Sequence, residues 1–438
     1  MLVVYLVAPD LRTLGGYELQ LTTLAVALAR NGYRPVVFFR EPVRNEHPYL
    51  ARMLDAGVHV HFPHPIAARV VSPSQSIRSG AAHVTIGICL PVLAVVSVID
   101  AILRRRSFLR SLRGSIGWWR GQITSITQVD SLTWLLCRTM DIKRRILPPD
   151  IIDVQHSMIP YAIEYALNHG IPVVYTEYGA PSRNLESVWS GLRPVLNSVD
   201  LVIGRAEASI SGLAELCGLD NDVPWTIVPN AVTAGPPADF ESPSDQPSYG
   251  QDVVIATIGR LSAEKGTRDV LSAFRLLVND GLPVHLVLAG EGPLRPELEA
   301  MARDWKISDR VTITGAFGDL APIIRATDIV AHPTLNDGRS VSVLEAMAWG
   351  RPVVGTAVGG VAEIVQDGVT GFLVQPGAID EMASALKRLV TDAGLRRTQG
   401  QAARAAFQAG GFGPDEMVSG TLAAYHRVLD GPMRKSAR

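Results

Sequence analysis

Short apolar runs alternate with amphipathic stretches along most of this 438-residue chain. Runs at 2–7, 34–39, 58–62, 151–155, 171–176, 201–204 and 226–228 have the length and composition of buried strands. Between the first two, residues 16–30 carry Leu19, Thr23, Leu24, Ala27 and Leu28 at helical spacing. Near-continuous apolar runs separated by amphipathic helices are what parallel sheets covered on both faces require. The pattern stops at 233–250, where Pro236, Pro237, Pro243 and Pro247 stand among glycine, serine and acidic residues without an apolar period. That composition reads as exposed linker. The alternation resumes at 253–258, 284–289, 311–314, 329–331 and 353–355, and an amphipathic stretch at 414–429 closes it.

The predicted fold is therefore α/β, with two Rossmann-like, doubly wound domains facing each other across a cleft at the carboxyl ends of their sheets. The expected divisions are 1–232 for the first domain, 233–250 for the linker and 251–412 for the second domain. Residues 413–438 form a C-terminal helix and tail, the helix returning to the first domain.

Charge and cysteine usage remove several classes. A formal net charge of −1 argues against a general nucleic-acid binder, whose footprint should be basic. Cys89, Cys137 and Cys217 lie far apart without a C-x-x-C pair, so they offer neither a disulfide framework nor a zinc site. The expected compartment is reducing and cytoplasmic. The first apolar run lacks a basic flank and a small-residue cleavage site, and reads as a strand rather than a secretory signal. No G-x-G-x-x-G follows it, which disfavours a dinucleotide dehydrogenase. His59 and His61 would share a strand face near His64, but no acidic partner follows locally to complete a metal site.

The stretch 69–148 interrupts the first domain. Residues 84–99 carry no charged side chain, and Arg104, Arg105, Arg106, Arg110, Arg113 and Arg120 follow, with Trp118 and Trp119 among them. The uncharged run is too short to span a bilayer, and Pro91 interrupts it. Apolar residues beside arginines and tryptophans suit either an anionic membrane surface met through 84–120, at the inner face of the cytoplasmic membrane, or a helical hairpin packed on the first sheet.

The chemistry concentrates after strands of the second half. GRLSAEKG at 259–266 offers two cations, Arg260 and Lys265, with glycines that allow close backbone approach to a ligand. GEGP at 290–293 ends the next strand in a glycine-rich turn that holds Glu291. The segment 333–348 places Asp337, Gly338 and Arg339 in a loop and Glu345 in the helix after it, with Ser340 as the expected N-cap. Gly359 and Gly360 precede another short helix.

In this order and spacing, these segments resemble the retaining family-four glycosyltransferases of the GT-B fold, the glycosyl transferases of group 1. The family's "GRL…EKG", "GEGP", "E-G…EAMA" and "GG…E" reappear at 259–266, 290–293, 337–356 and 359–363. Gly15 and Gly16 resemble its "GG-x-E" loop, and 153–156 its "D-x-x-H" segment. The resemblance implies a nucleotide-sugar donor whose diphosphate meets Arg260 and Lys265. Glu345 would hold the ribose hydroxyls, Asp337 the hydroxyls of the transferred sugar, and His156 that sugar from the other side. The implied catalytic set is His156, Asp337, Arg260 and Lys265. The donor-binding set adds Gly15, Gly16, Glu291, Gly338, Arg339, Ser340 and Glu345. The acceptor would be a glycan or lipid-linked, with no cofactor and no metal, the cations and helix N-termini neutralising the leaving group.

Four positions depart from the family pattern. Asp337 stands where Glu is usual, Arg339 where an apolar residue is frequent, Tyr178 where His is common, and Ala231 where Gly is common. Asp337, Tyr178 and Ala231 keep a catalytically degenerate binding or scaffold subunit open as an alternative, and the basic segment keeps open a membrane-surface adaptor.

Overall fold

A computed structural model describes residues 2–8, 16–39, 47–61, 139–140, 143–155, 160–181, 192–232, 235, 251–316 and 320–431. Its first sheet consists of β1 (Val3–Ala8), β2 (Arg34–Phe39), β3 (His59–His61), β4 (Ile151–Gln155), β5 (Val173–Glu177), β6 (Leu201–Gly204) and β7 (Trp225–Ile227). The second consists of β8 (Val253–Ile258), β9 (Val284–Ala289), β10 (Val311–Ile313), β11 (Ile329–His332), β12 (Val353–Thr356) and β13 (Gly371–Val374). Every pairing between these strands is parallel.

The strand orders, β3-β2-β1-β4-β5-β6-β7 and β10-β9-β8-β11-β12-β13, are both doubly wound. In each, the direction of winding reverses between the first strand of the domain and the fourth, at β1/β4 and at β8/β11. Loops leaving those strand pairs part to opposite faces and leave a crevice at their carboxyl ends.

Alternation of side chains carries each sheet between two apolar layers. Val3, Tyr5 and Val7 of β1 enter one core cluster, and Val4, Leu6 and Ala8 enter the other, all of them buried. The second sheet is covered in the same way, with Ile255 on one face and Val254, Ala256 and Ile258 on the other. Strands buried on both faces have to read as continuous apolar runs, which is how they read in the sequence. β13 escapes that reading because its apolar run is only Phe372–Leu373–Val374, behind a turn rich in polar residues.

The Pro414–Leu429 helix returns to the first sheet, as expected. Met417, Val418, Ala424, Tyr425 and Val428 join the cluster that holds Val4, Leu6, Leu21 and Leu24. Full burial of each large apolar side chain contributes about 1.5–3 kcal/mol. A polar contact adds register to this packing. The Tyr425 hydroxyl donates to Asp153 Oδ2 at 2.6 Å, and the Thr176 hydroxyl donates to Oδ1 at 2.8 Å. Burial pushes the Asp153 carboxyl up to about 6, against the bonds from Tyr425 and Thr176 and the charge of Arg205. Asp153, read in the sequence as the start of a ligand segment, is thus fully covered by the returning helix.

The segment 62–138, including 84–120, Cys89, Cys137 and His64, lies outside the described residues, as do Gly15, His156 and 236–250. Among the described residues no helix is long and apolar enough to cross a membrane.

Removing the Tyr425 hydroxyl leaves a buried carboxyl short of one donor. Tyr425→Phe is expected to destabilise the protein by about 1–3 kcal/mol, read as a lower urea midpoint at pH 7. Because burial raises the Asp153 carboxyl, its contribution to stability falls as pH rises from about 4 through about 6. The loss in Tyr425→Phe should therefore be smaller at pH 4 than at pH 7.

Candidate functional site

Both cationic and acidic segments leave the second sheet at its switch point. The loop after β8 carries Arg260 and then a single 3-10 turn, Ala263–Lys265. The loop after β11 carries Asp337, and the Val341–Ala348 helix follows it. Because β8 and β11 are adjacent, the two loops meet, and Lys265 Nζ donates to Asp337 Oδ2 at 2.8 Å. His332, the last residue of β11, places its Nε2 at 3.2 Å from the same oxygen. The Asp337 side chain is 13% exposed and that of His332 4%. Burial works to raise the Asp337 carboxyl, but the charge of Lys265 and the hydrogen bond and charge of His332 prevail and hold it below the usual carboxylate range. Arg260 is exposed directly after β8. Its charge and that of Lys265 both bear on Glu264, whose carboxyl is lowered despite partial burial, chiefly by the Ser262 hydroxyl.

Ser340 caps the Val341–Ala348 helix as expected, its hydroxyl accepting from the Val343 N–H at 3.4 Å. Glu345 lies one turn along, half-buried, and burial alone pushes its carboxyl up to about 8. It acts electrostatically across the cleft on Tyr49 of the Pro48–Asp55 helix. That phenol is raised to about 12 by burial, Glu18 and Glu345, against Arg52. Glu345 therefore lies within electrostatic range of the Pro48–Asp55 helix of the first domain.

Main-chain contacts fix these loops. Gly338 lies so close to the first domain that an added Cβ would stand 2.1 Å from the Tyr178 carbonyl oxygen. A Cβ on Gly360 would stand 1.6 Å from the Gly338 carbonyl oxygen, and the Gly360 N–H donates to Asp337 O at 3.2 Å. The Asn336 amide donates to Ala180 O at 2.6 Å, and the Asn230 amide donates to Arg339 O at 2.6 Å. The glycines of 259–266 were expected to let the backbone approach a ligand closely. Gly290 packs on the Gly259 carbonyl, with 1.8 Å between that oxygen and a Cβ at 290. Only a residue without a side chain lets one loop rest on another in this way.

Two expected donor residues have other partners. Arg339 was expected to add a third cation near the phosphates. Its Nη2 instead donates to Glu363 Oε2 at 2.8 Å, and its guanidinium lies 5.6 Å from the Phe412 ring centre. Glu363 in turn accepts from the N–H groups of Glu207 and Ala208, at 3.2 Å and 2.9 Å. A carboxylate from the second domain thus caps the Glu207–Cys217 helix of the first, where the helix dipole favours negative charge. Glu291 is exposed and paired with Arg295 at 2.7 Å. Gly16 opens the first helix, whereas Gly15 and His156 lie outside the described residues. At the far edge of the first sheet, His61 stacks on Phe38 and is lowered to about 4 by burial, Lys143 and His59. Among the described residues no group of three His, Cys, Asp or Glu is placed to hold a metal ion.

Sequence reasoning missed His332, Glu363, Asn336 and Asn230. His332 stood in plain view at a strand end five residues before Asp337. The other three act on residues of the opposite domain, and no spacing within the chain encodes that.

Two doubly wound domains, joined at a cleft that sets two cations and two carboxyl groups at one switch point, define the GT-B class of glycosyltransferase fold. The sequence model described as "Glycosyl transferases group 1" matches residues 252–392. A D-inositol 3-phosphate glycosyltransferase of Actinosynnema mirum is 32% identical over 286 residues, covering 60% of this chain and 68% of the relative. The chain belongs to the glycosyl transferases of group 1. An alpha-D-kanosaminyltransferase of Streptomyces kanamyceticus is 36% identical over 152 residues, 34% of this chain but only 39% of that relative's length. Among solved structures, Anabaena HepE in complex with UDP and glucose superposes with a TM-score of 0.70 at 19% identity, covering 96% of this chain and 98% of that one. Sucrose-phosphate synthase from Thermosynechococcus elongatus gives 0.71 at 17% identity, covering 98% and 100%.

The Glu363 cap can be tested directly. Glu363→Ala removes the acceptor of two helix N–H groups and the partner of Arg339. Hydrogen exchange at Glu207 and Ala208 is expected to quicken about fivefold, an opening cost lower by ~1 kcal/mol, with β8–β13 unchanged.

Proposed function

We propose that this chain is a retaining glycosyltransferase that moves a sugar from a nucleoside-diphosphate donor without a metal ion. The observation that carries the reading is the Lys265–Asp337 contact at the switch point. It joins a diphosphate-facing cation to a carboxylate suited to sugar hydroxyls, on the loop that leads into the helix carrying Glu345. Arg260 and Lys265 would face the charge that develops on the departing diphosphate, and fixed cations at that place stabilise the transition state. The free N–H groups at the start of the Val341–Ala348 helix add to that field. Asp337 and Glu345 would accept hydrogen bonds from the vicinal hydroxyls of sugar and ribose. The leaving phosphate oxygen would take the acceptor proton on the face it departs from, so that configuration is retained without a protein nucleophile.

HepE, which shares the fold, is described with UDP and glucose, and this supports a nucleotide-sugar donor. A glycan or lipid-linked alcohol is the proposed acceptor, met from the first domain. The names of the A. mirum relative and of a 2-deoxystreptamine glucosyltransferase of S. kanamyceticus favour small polyols as a second acceptor class. Residues 84–120 would supply a peripheral contact with anionic lipid at the cytoplasmic membrane.

Arg260→Ala is expected to lower turnover about 100-fold with the unfolding midpoint little changed. Lys265→Ala should lower turnover as far while also lowering the midpoint, because Asp337 loses its ion-pair partner, and EDTA should leave turnover unaffected. Wild-type rates in both variants would sink the assignment, as would full loss in EDTA restored by Mg²⁺.

The raised Glu345 carboxyl gives a second test. Hydroxyl donors favour its ionised form, so below about 8 binding must release its proton. UDP-glucose, whose diphosphate does not titrate in this window, should bind more tightly as pH rises from 6 to 8 and then level off. Glu345→Gln should flatten that profile, and an unchanged slope in the variant would refute the role of Glu345.

A further inference from the structure

Resting on the reading of Asp337 as the residue that grips the transferred sugar, we propose that His332 is its positioning residue. His332 fixes the carboxylate so that Oδ1 is presented to the sugar.

The need arises from the sequence. Asp337 carries its carboxylate on a chain one methylene shorter, by ~1.5 Å, than the glutamate usual at this place. A shorter arm has less freedom to find a hydroxyl, so its direction has to be set by its surroundings. The main chain is already held. Asn336 is bonded to Ala180, Gly338 lies against Tyr178, and Asp337 O accepts from Gly360. The carboxylate is then held through one oxygen only. Both Lys265 Nζ and His332 Nε2 approach Oδ2, at 2.8 Å and 3.2 Å, and Oδ1 has no partner among the described residues. Two donors converging on one oxygen from different elements, β11 and the 3-10 turn after β8, fix the plane of the group as well as its distance.

The two donors differ in what else is asked of them. Lys265 is 30% exposed on a flexible stem and is also the expected partner of the donor diphosphate. When the donor is bound, its ammonium is shared. His332 is 4% exposed, belongs to a strand, and holds Asp337 as the partner of its Nε2. The contact requires the Nε2–H form, which serves as donor whether or not the ring is charged. His332 therefore keeps the carboxylate in place while Lys265 turns to the phosphates.

The test separates the sugar from the rest of the donor. Calorimetric affinities are measured for UDP-glucose and UDP, and in parallel for GDP-mannose and GDP and for ADP-glucose and ADP. The pair followed is the one whose sugar nucleotide binds wild-type protein more tightly. His332→Leu is expected to weaken the sugar nucleotide about 10-fold and leave the parent nucleotide within about twofold. His332→Gln, which keeps an N–H donor, should recover most of the loss. In an Asp337→Ala background His332→Leu should add less than about twofold, since a positioning residue has nothing left to position. Equal losses for nucleotide and sugar nucleotide, no loss at all, or full additivity with Asp337→Ala would each overturn the proposal. If Asp337→Ala alone leaves the preference for the sugar nucleotide intact, or if no sugar nucleotide is preferred, the donor-site reading itself fails and the role of His332 with it.

Discussion

The site depends on main-chain contact between the two domains at the Asn336-Asp-Gly-Arg339 loop. Gly338 has no room for a side chain against the Tyr178 carbonyl, the Asn336 amide ties one end of the loop to Ala180 O of the first domain, and the first-domain Asn230 amide holds the other end by its Arg339 carbonyl. Tertiary contact through main chain tolerates little sliding, because there is no side chain to adjust. Asp337 is thus held relative to both sheets at once. A carboxylate one methylene short of the family's usual one can still address a fixed point if its backbone does not move.

The same segment separates two carboxyl groups by environment. Asp337 faces Lys265 and His332 and stays ionised well below neutral pH, whereas Glu345 has burial acting on it alone and holds its proton to about 8. Opposite shifts a few residues apart on one loop and helix mark a site where the groups have different tasks. A permanently charged carboxylate offsets the cation beside it, and under the proposed function it would orient the sugar. Under the proposed function, a carboxyl that ionises as hydroxyl donors reach it would couple binding of the ribose to release of a proton. The cost to the empty protein follows from the signs. Asp337 supports folding above the usual carboxylate range and is lost as pH falls, while Glu345 opposes folding increasingly as pH rises from about 4.5 towards 8.

Much of this architecture was readable from the chain, because strands covered on both faces must be apolar throughout and ligand loops must follow them. The Gly16–Arg30 helix and the strands at 34–39, 151–155, 201–204, 253–258 and 284–289 fall where the pattern puts them. The four motifs were legible as a set, and Lys265 and Asp337 do meet. The purpose of the glycines was not legible. A glycine that admits a ligand and one that admits a neighbouring loop look alike in sequence, and Gly290 and Gly338 are of the second kind. The partner of Arg339 was hidden for a related reason. Its charge was visible, but the Glu363 that neutralises it is 24 residues away and already engaged with a helix of the other domain. His332 passed as a strand end because its partner lies in the following loop.

Tyr178 shows how a departure from a family pattern can be structural. Its hydroxyl donates to Gln155 and accepts from Arg205 at 2.9 Å, while the Arg205 guanidinium lies 4.4 Å from its ring centre. Arg205 is itself buried and bonded to Val228 O, and its charge acts on the Asp153 that Tyr425 caps from the returning helix. A continuous set of buried polar groups therefore runs from the C-terminal helix through the ends of β4, β5 and β6 to the carbonyl on which Gly338 rests. Each member is costly to bury alone and is sustained by the next. An imidazole at 178 could not supply the same reach from ring to Gln155 and Arg205. The tyrosine is matched to this network, and the network holds the first-domain surface against which the Asn336–Arg339 loop is set.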